Sequence, residues 1–245
     1  DNATLNLPSI LGTYILLDVH TGQMKAMMDA PSLTAKRTAA ASALASRFLS
    51  RENSSTLLMV GTGTLSPEII RAHSSVRPIN KVYVWGRSIE KAQSVCDQVK
   101  ELDLECIAID DINAHIADAD IISCATLSQT PLIFGKHLKA GQHLDMVGAY
   151  RPDMREMDDD CLTKGRIFVD NTESASRETG DLAIPLANGV IKPEDIEADL
   201  FQLCQKQKPF GRKDDDITIF KSVGHALEDL AAAKLVAKVI IDAKA

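Results

Sequence analysis

The sequence predicts an α/β protein built on a doubly wound parallel sheet, with a smaller, partly represented α+β unit beside it. Three observations predict it. From Ser55 onward, short and nearly uninterrupted apolar runs alternate with helical stretches, which is how parallel strands covered on both faces read. The first of those runs leads into Gly61-Thr62-Gly63-Thr64-Leu65-Ser66 and then a helix, a strand-turn-helix arrangement of the Rossmann type. The residues before 55 follow neither pattern; they read as a hairpin and one long Ala-rich helix.

In chain order, Tyr14–Asp18 is a strand, Val19-His20-Thr21-Gly22 a turn closed by Gly, and Gln23–Met28 the return strand. A lone hairpin is marginal in water, so it has to pack on other strands. Pro31-Ser32-Leu33 opens a helix over Thr34–Leu49, rich in Ala, the best helix former. The expected strands are then Thr56–Val60, Lys81–Trp85, Cys106–Ile109, Ile121–Ala125, Leu144–Val147 and Ile167–Val169. Between the first four lie helices at Glu68–His73, Glu90–Leu102 (with Ala92, Val95, Cys96 and Val99 on one face) and Asn113–Ala119. A helix over Asp195–Lys206, a strand at Ile217–Phe220 and a strong helix over Ala226–Ala243 complete the reading.

Composition narrows the class. With 245 residues, 45% of them hydrophobic, the chain can bury a core that needs no disulfides. Asp plus Glu (34) exceed Lys plus Arg (27), a net charge of −7, which counts against a binder of nucleic-acid phosphates. No apolar run reaches the roughly 20 residues of a membrane span, and the first residues lack the basic region of a signal peptide. The chain starts at Asp1 and not at Met, which leaves a truncated N-terminus open. The five cysteines are odd in number and none forms a CxxC pair, so neither a disulfide framework nor a zinc site is expected. Reduced, mostly buried thiols and a cytoplasmic location are. No metal is expected, since the six His are scattered.

Gly61 permits a tight turn, and Gly63 lets the backbone approach a pyrophosphate held on the amides of Thr64, Leu65 and Ser66 at a helix N-terminus. Ser66 stands where a third Gly is usual. An NAD site places an acid at the end of the second strand. Here Trp85 is followed by Gly86-Arg87-Ser88. Arg87 brings a guanidinium fork and Ser88 a hydroxyl, both suited to a 2′-phosphate, so NADP(H) is favoured and NAD possible. The ends of later strands should line the nicotinamide crevice, which nominates Thr126, Met146, Val147, Ser222, Val223 and Gly224. Cys124 sits in an apolar run with no His in pattern and is not taken as a nucleophile. The loop Gly148-Ala149-Tyr150-Arg151-Pro152-Asp153-Met154-Arg155-Glu156 follows a strand end. Its ionisable groups either take part in chemistry or leave Asp153 as a helix cap with Arg155 and Glu156 solvated. Arg37 is either a surface charge or a bidentate clamp for a substrate carboxylate.

Taken together, Leu33-Thr-Ala-Lys-Arg-Thr-Ala-Ala-Ala-Ser42, the Gly61 turn, Gly148–Glu156, Glu178-Thr-Gly-Asp181 and Phe220-Lys-Ser-Val-Gly-His-Ala-Leu-Glu-Asp229 resemble the ornithine cyclodeaminase/mu-crystallin family of NAD(P)-dependent enzymes over essentially the whole chain. The resemblance implies a fragment of a substrate and dimerisation domain at 1–35, a Rossmann domain at 36–222, and a C-terminal helix at 223–245 returning to the dimerisation domain. It implies a homodimer. It also implies that this sequence begins inside the N-terminal segment, whose absent part would carry a catalytic Lys and a further substrate Arg, so a longer protein is expected. On the same resemblance Arg37 becomes the carboxylate anchor, Thr38 lies near the cofactor phosphates, and Val223 and Gly224 meet the nicotinamide carboxamide or the substrate.

Ornithine cyclodeaminases of the family carry an acid after a Gly-Gly pair in the 148–150 loop. Here Tyr150 holds that place. The ketimine reductase branch also lacks the acid, and reducing a cyclic imine needs no base to strip a substrate ammonium. The expected function is therefore NAD(P)H-dependent reduction of a cyclic ketimino acid, Δ1-pyrroline-2-carboxylate to L-proline or Δ1-piperideine-2-carboxylate to L-pipecolate. The proton is expected from the Lys of the absent segment or from water, with Tyr150 as a lesser candidate donor. The alternatives are ornithine cyclodeaminase, with NAD recycled, and a mu-crystallin-like NADP-binding protein without turnover.

Overall fold

The computed structural model describes residues 5, 7, 10–205 and 210–242. In chain order the elements are β1 (Thr13–Leu17), β2 (Met24–Asp29), α1 (Ala30–Leu49), β3 (Thr56–Val60), α2 (Leu65–Val76), β4 (Lys81–Trp85), α3 (Ile89–Asp97), β5 (Glu105–Ile109), α4 (Asn113–Ile116), β6 (Ile121–Cys124) and β7 (His143–Met146). There follow α5 (Asp159–Lys164), β8 (Arg166–Val169), α6 (Thr172–Glu178), α7 (Gly180–Ala187), β9 (Ile196–Asp199), α8 (Leu200–Gln205), β10 (Thr218–Lys221) and α9 (Ala226–Asp242). The chain divides into two units, residues 1–38 with 225–245, and residues 39–224.

In the first unit, β1 and β2 form the expected antiparallel hairpin. The turn is tied by the Asp18 carboxylate, which accepts from the amides of His20 and Thr21. α1 begins earlier than expected, at Ala30. The Asp29 carboxylate accepts from the Ser32 amide at 2.9 Å and so caps the helix, and Pro31 is harmless in a first turn whose N–H groups have no helical partner. α9 packs on the hairpin and leaves Leu227, Leu235 and Val239 exposed.

The second unit carries an eight-stranded, all-parallel sheet in the order β5-β4-β3-β6-β7-β10-β8-β9. β3 and β6 are neighbours, so the strand order reverses there, and the carboxyl ends of these two strands are where a doubly wound sheet takes its ligand. One face buries Leu58, Val60, Ile122, Leu144 and Ile219. The other buries Leu57, Met59, Val82 and Val84 against Ile69, Ile70 and Val95 of α2 and α3. Both faces are covered, as the near-continuous apolar strands require.

Most elements lie within a residue or two of their expected bounds. α3 stops at Asp97 and not at Leu102; the amides of Val99 and Leu102 donate three residues back, to Cys96 and Val99, and these tight turns keep Val99 buried. The expected helix from Asp195 is in fact the strand β9 followed by α8. Ile196 and Ala198 alternate inward along β8, a two-residue period that pairing imposes on helix-favouring Glu and Ala. Helices α5, α6 and α7 were not expected, yet each opens on a capping side chain, Asp158, Asn171 and Thr179. The expected helix ends at Lys206 and Ala243 lie outside the described residues.

Candidate active site

The turn after β3 is built for close approach. Gly61 has φ +128°, and a Cβ there would lie 2.5 Å from the Ala125 carbonyl oxygen at the end of β6. Only Gly avoids both penalties. At Gly63 no atom lies within 4 Å of where a Cβ would sit, so the backbone faces open space. Thr64 does not cap α2 with its side chain, and Leu65 begins the helix. This cradle, open above Gly63 and backed by a twelve-residue helix, fits a pyrophosphate. Ser66 is turned away from it. It is fully buried, and its hydroxyl donates to the Gly61 carbonyl at 2.9 Å, so it braces the turn from below.

At the tip of β4, Arg87 is exposed. Ser88 is committed locally: its hydroxyl accepts from the Lys91 amide, capping α3, and donates to the Glu90 carboxylate at 2.6 Å. That hydrogen bond lowers the Glu90 pKa below the ordinary carboxylate range, so the tip carries a negative charge beside Arg87. Of the two residues expected at a 2′-phosphate, Arg87 alone has a side chain turned to solvent.

The carboxyl ends of β6, β7 and β10 converge on two buried carboxylates. Glu156 is fully buried. One of its oxygens accepts from the Thr126 amide (2.6 Å) and hydroxyl (2.8 Å), the other from the amides of Gly148 (2.7 Å) and Ala149 (3.1 Å). Asp170, just past β8, accepts from the amides of Val223 (2.8 Å) and Gly224 (2.6 Å) and the Ser222 hydroxyl (3.2 Å) through one oxygen, and from the Asn171 amide through the other. Met146 is fully buried and works through its carbonyl, which accepts from Lys221 Nζ and the Ser222 amide. Val147 is buried in the core cluster that also holds Ile69 and Ile70 of α2. Lys221 is itself fully buried, 3.4 Å from Asp181, and Asp181 accepts from the Glu156 and Met157 amides. Burial raises the Glu156 pKa; Asp181 adds to the shift, and Lys221 with the Thr126 amide opposes it.

The loop after β7 resolves the two readings of its charges differently at each residue. Asp153 caps no helix. Arg151 grips its carboxylate from two nitrogens and Gln129 donates to it as well, which holds its pKa at about 2, with the Arg151 hydrogen bond as the main cause. Arg155 is paired with Asp159. Glu156 is not solvated, contrary to the simple surface reading; the amides of two loops surround it. Tyr150 is exposed. Burial pushes the Cys124 thiol far up, which suits a packing residue. In the first unit, Arg37 lies on α1 and is mostly buried. Its Nη1 donates to Glu228 at 3.0 Å and its Nε to Asp229 at 2.9 Å, both on α9. Thr38 next to it is buried.

Sequence reasoning passed over Asp170, Asp181 and Lys221. Asp170 had a signal, since an acid directly after the apolar run Ile167-Phe168-Val169 stands at the carboxyl end of a parallel strand. Lys221 had none, because a buried Lys cannot be told from an exposed one by its neighbours in the chain.

A parallel sheet with a reversal of strand order and a glycine turn leading from β3 into α2 defines a Rossmann-type fold of the kind nicotinamide-dependent enzymes use. The ornithine cyclodeaminase/mu-crystallin family model matches residues 1–244, and the chain belongs to that family. It is 41% identical over 242 residues to Protein SAR DEFICIENT 4 of Arabidopsis thaliana, covering 96% of this chain and 74% of that protein. It is 38% identical over 248 residues to Delta(1)-pyrroline-2-carboxylate reductase of Colwellia psychrerythraea, covering 99% and 78%. The solved structure of Thermococcus litoralis Delta(1)-pyrroline-2-carboxylate reductase in complex with NADH and L-proline superposes with a TM-score of 0.95 at 32% identity, covering 99% of this chain and 76% of that one.

Proposed function

We propose that this protein reduces cyclic ketimino acids with a nicotinamide cofactor, Δ1-pyrroline-2-carboxylate to L-proline foremost and Δ1-piperideine-2-carboxylate to L-pipecolate as the ring-expanded case. The observation that carries the reading is the state of the carboxylates after β7. Tyr150 stands where a cyclodeaminase has its acid, Asp153 is gripped by Arg151, and Glu156 is consumed by four donors. Among the described residues, this loop therefore offers no unengaged carboxylate to handle a substrate ammonium. Reduction of a preformed C=N bond needs none.

The cofactor, when bound, supplies the hydride that adds to the C=N carbon. Gly61, Gly63, Thr64 and Leu65 are assigned to its pyrophosphate, with Thr38 nearby, and Thr126, Val147, Ser222, Val223 and Gly224 to the nicotinamide side. Arg37 is assigned to the substrate carboxylate; Glu228 and Asp229 fix its plane, so the guanidinium is oriented before substrate arrives. As the carbon is reduced, the C=N electrons pass to nitrogen, which takes a proton. Water is the first candidate donor and Tyr150 the lesser one, since phenols are weak acids. NADPH is the preferred cofactor on the strength of the exposed Arg87 and of Gly86-Arg87-Ser88, which holds no acid directly after β4 although Glu90 lies two residues further on, with NADH accepted. A homodimer joined through the exposed apolar side chains of α9 and the hairpin belongs to the same reading, as does a cytoplasmic location, in keeping with five free thiols.

The test is absorbance at 340 nm with Δ1-pyrroline-2-carboxylate and either NADPH or NADH, beside L-ornithine with NAD. Rapid NADPH oxidation with the imine and no ammonia from ornithine is expected. Proline and ammonia from ornithine would refute the proposal, and cofactor binding without turnover on any imine would favour a pure binding role.

A further inference from the structure

We propose that Glu156 is a positioning residue for the nicotinamide half of the cofactor, an assignment that rests on the function proposed above. It would touch neither cofactor nor substrate. It acts by locking the loop after β6 to the loop after β7.

Three observations carry the inference. Each carboxylate oxygen serves one loop: one takes both donors of Thr126, the other takes the Gly148 and Ala149 amides. Three of the four partners are amides, which can only donate, and the fourth is the Thr126 hydroxyl, so all four bonds can be made to the carboxylate at once. The loops are also pressed together. A Cβ on Gly148 would lie 2.1 Å from the Thr126 carbonyl oxygen and 2.4 Å from the nearer Glu156 oxygen, closer than any real contact, so the two loops meet backbone to backbone with the carboxylate against the same point. Finally, Glu156 is itself immobilised. Its amide donates to Asp181 at 2.8 Å, its carbonyl accepts from the Leu132 and Ile133 amides, and Lys221 holds Asp181 from the far side. A buried carboxylate tied from its own backbone is a rigid clasp, whereas a free side chain would follow the loops.

The adenosine side of the cradle, Gly61 to Leu65 and Arg87, makes none of these bonds. This separates the two halves of the cofactor experimentally. Glu156→Gln replaces one acceptor oxygen with an NH2 that faces donors. The expected result is at least a tenfold weaker Kd for NADH and NADPH, with less than a twofold change for ADP-ribose and its 2′-phosphate, which lack the nicotinamide. A fall in kcat should accompany it. Glu156→Asp, which keeps the charge but draws the carboxylate back from one of the two loops, should show the same split and keeps the test available if the Gln variant does not fold. Equal weakening of dinucleotide and fragment, or no change in either, would overturn the inference. Failure of the wild-type protein to bind the fragments at all would instead bring down the nucleotide-binding reading beneath it.

Discussion

Asp170 is the side chain whose removal should do the most damage for its size. It is 1% exposed and receives four donors: the amides of Asn171, Val223 and Gly224 and the Ser222 hydroxyl. Hydrogen bonds to a charged group are worth about 1.5–3 kcal/mol each. Val223 and Gly224 are only part-buried, so water can serve their amides once the acid is gone, and the cost of burying the charge is recovered. About two bonds' worth remains, which puts Asp170→Ala at roughly 3–5 kcal/mol of lost stability. Asp170→Asn can keep an oxygen toward Ser222, Val223 and Gly224, but its NH2 then confronts the Asn171 N–H. It should cost about 1–2 kcal/mol. Urea unfolding followed by circular dichroism gives both values, and kcat/KM for the imine should fall at least tenfold in the Ala variant as the Ser222–Gly224 segment loosens. An Ala variant within 1 kcal/mol of wild type, or an Asn variant worse than Ala, would refute the reasoning that these donors depend on the charge.

Two further predictions come from other parts of the chain. His143 is fully buried, and burial drops its pKa from 6.5 to about 3. The native state therefore stays unprotonated where the unfolded chain already binds a proton, so stability is complete above about pH 6.5 and drains away as pH falls toward 3, by on the order of 5 kcal/mol. Unfolding free energies of wild type and His143→Gln across that window should converge at low pH, and parallel curves would remove His143 from the account. Arg37→Lys keeps the charge but loses the planar fork that Glu228 and Asp229 hold; kcat/KM for the imino acid should drop about 30- to 100-fold, corresponding to roughly 2–3 kcal/mol, while Kd for the cofactor stays put. A Lys variant with unchanged kcat/KM would take Arg37 out of substrate binding.

Where hydrophobic burial dictates the backbone, the sequence was legible. The runs Thr56–Val60, Lys81–Trp85 and Ile121–Cys124 are buried on both faces, so they carry their strand identity in composition alone. β9 was not, because only two of its four residues face inward and the others are acids. At the site, the glycines were readable since their reason is local: a positive φ and a neighbouring strand end. Ser66 and Ser88 were read as possible cofactor contacts because a hydroxyl has no direction in a sequence. In the structure one points down into the turn and the other along α3. Glu156 and Asp170 were obscure for the opposite reason, since their partners come from segments 30 and 54 residues away, and only the closed sheet brings those loops within reach.

The position of β10 bears on how the molecule is made. It is the last strand in the chain, yet it lies between β7 and β8, and its Ile219 and Phe220 are wholly enclosed. During synthesis at roughly 5–20 residues per second, β8 and β9 leave the ribosome before the strand that joins them to the others. For some seconds the nascent sheet has a gap in its middle, with two bare hydrogen-bonding edges facing each other across it. Such edges are templates for pairing with other chains. A stalled or clipped chain that ends before Thr218 would thus be a seed for aggregation and a client for chaperones, whereas a complete one seals its own sheet by inserting its final strand at the centre.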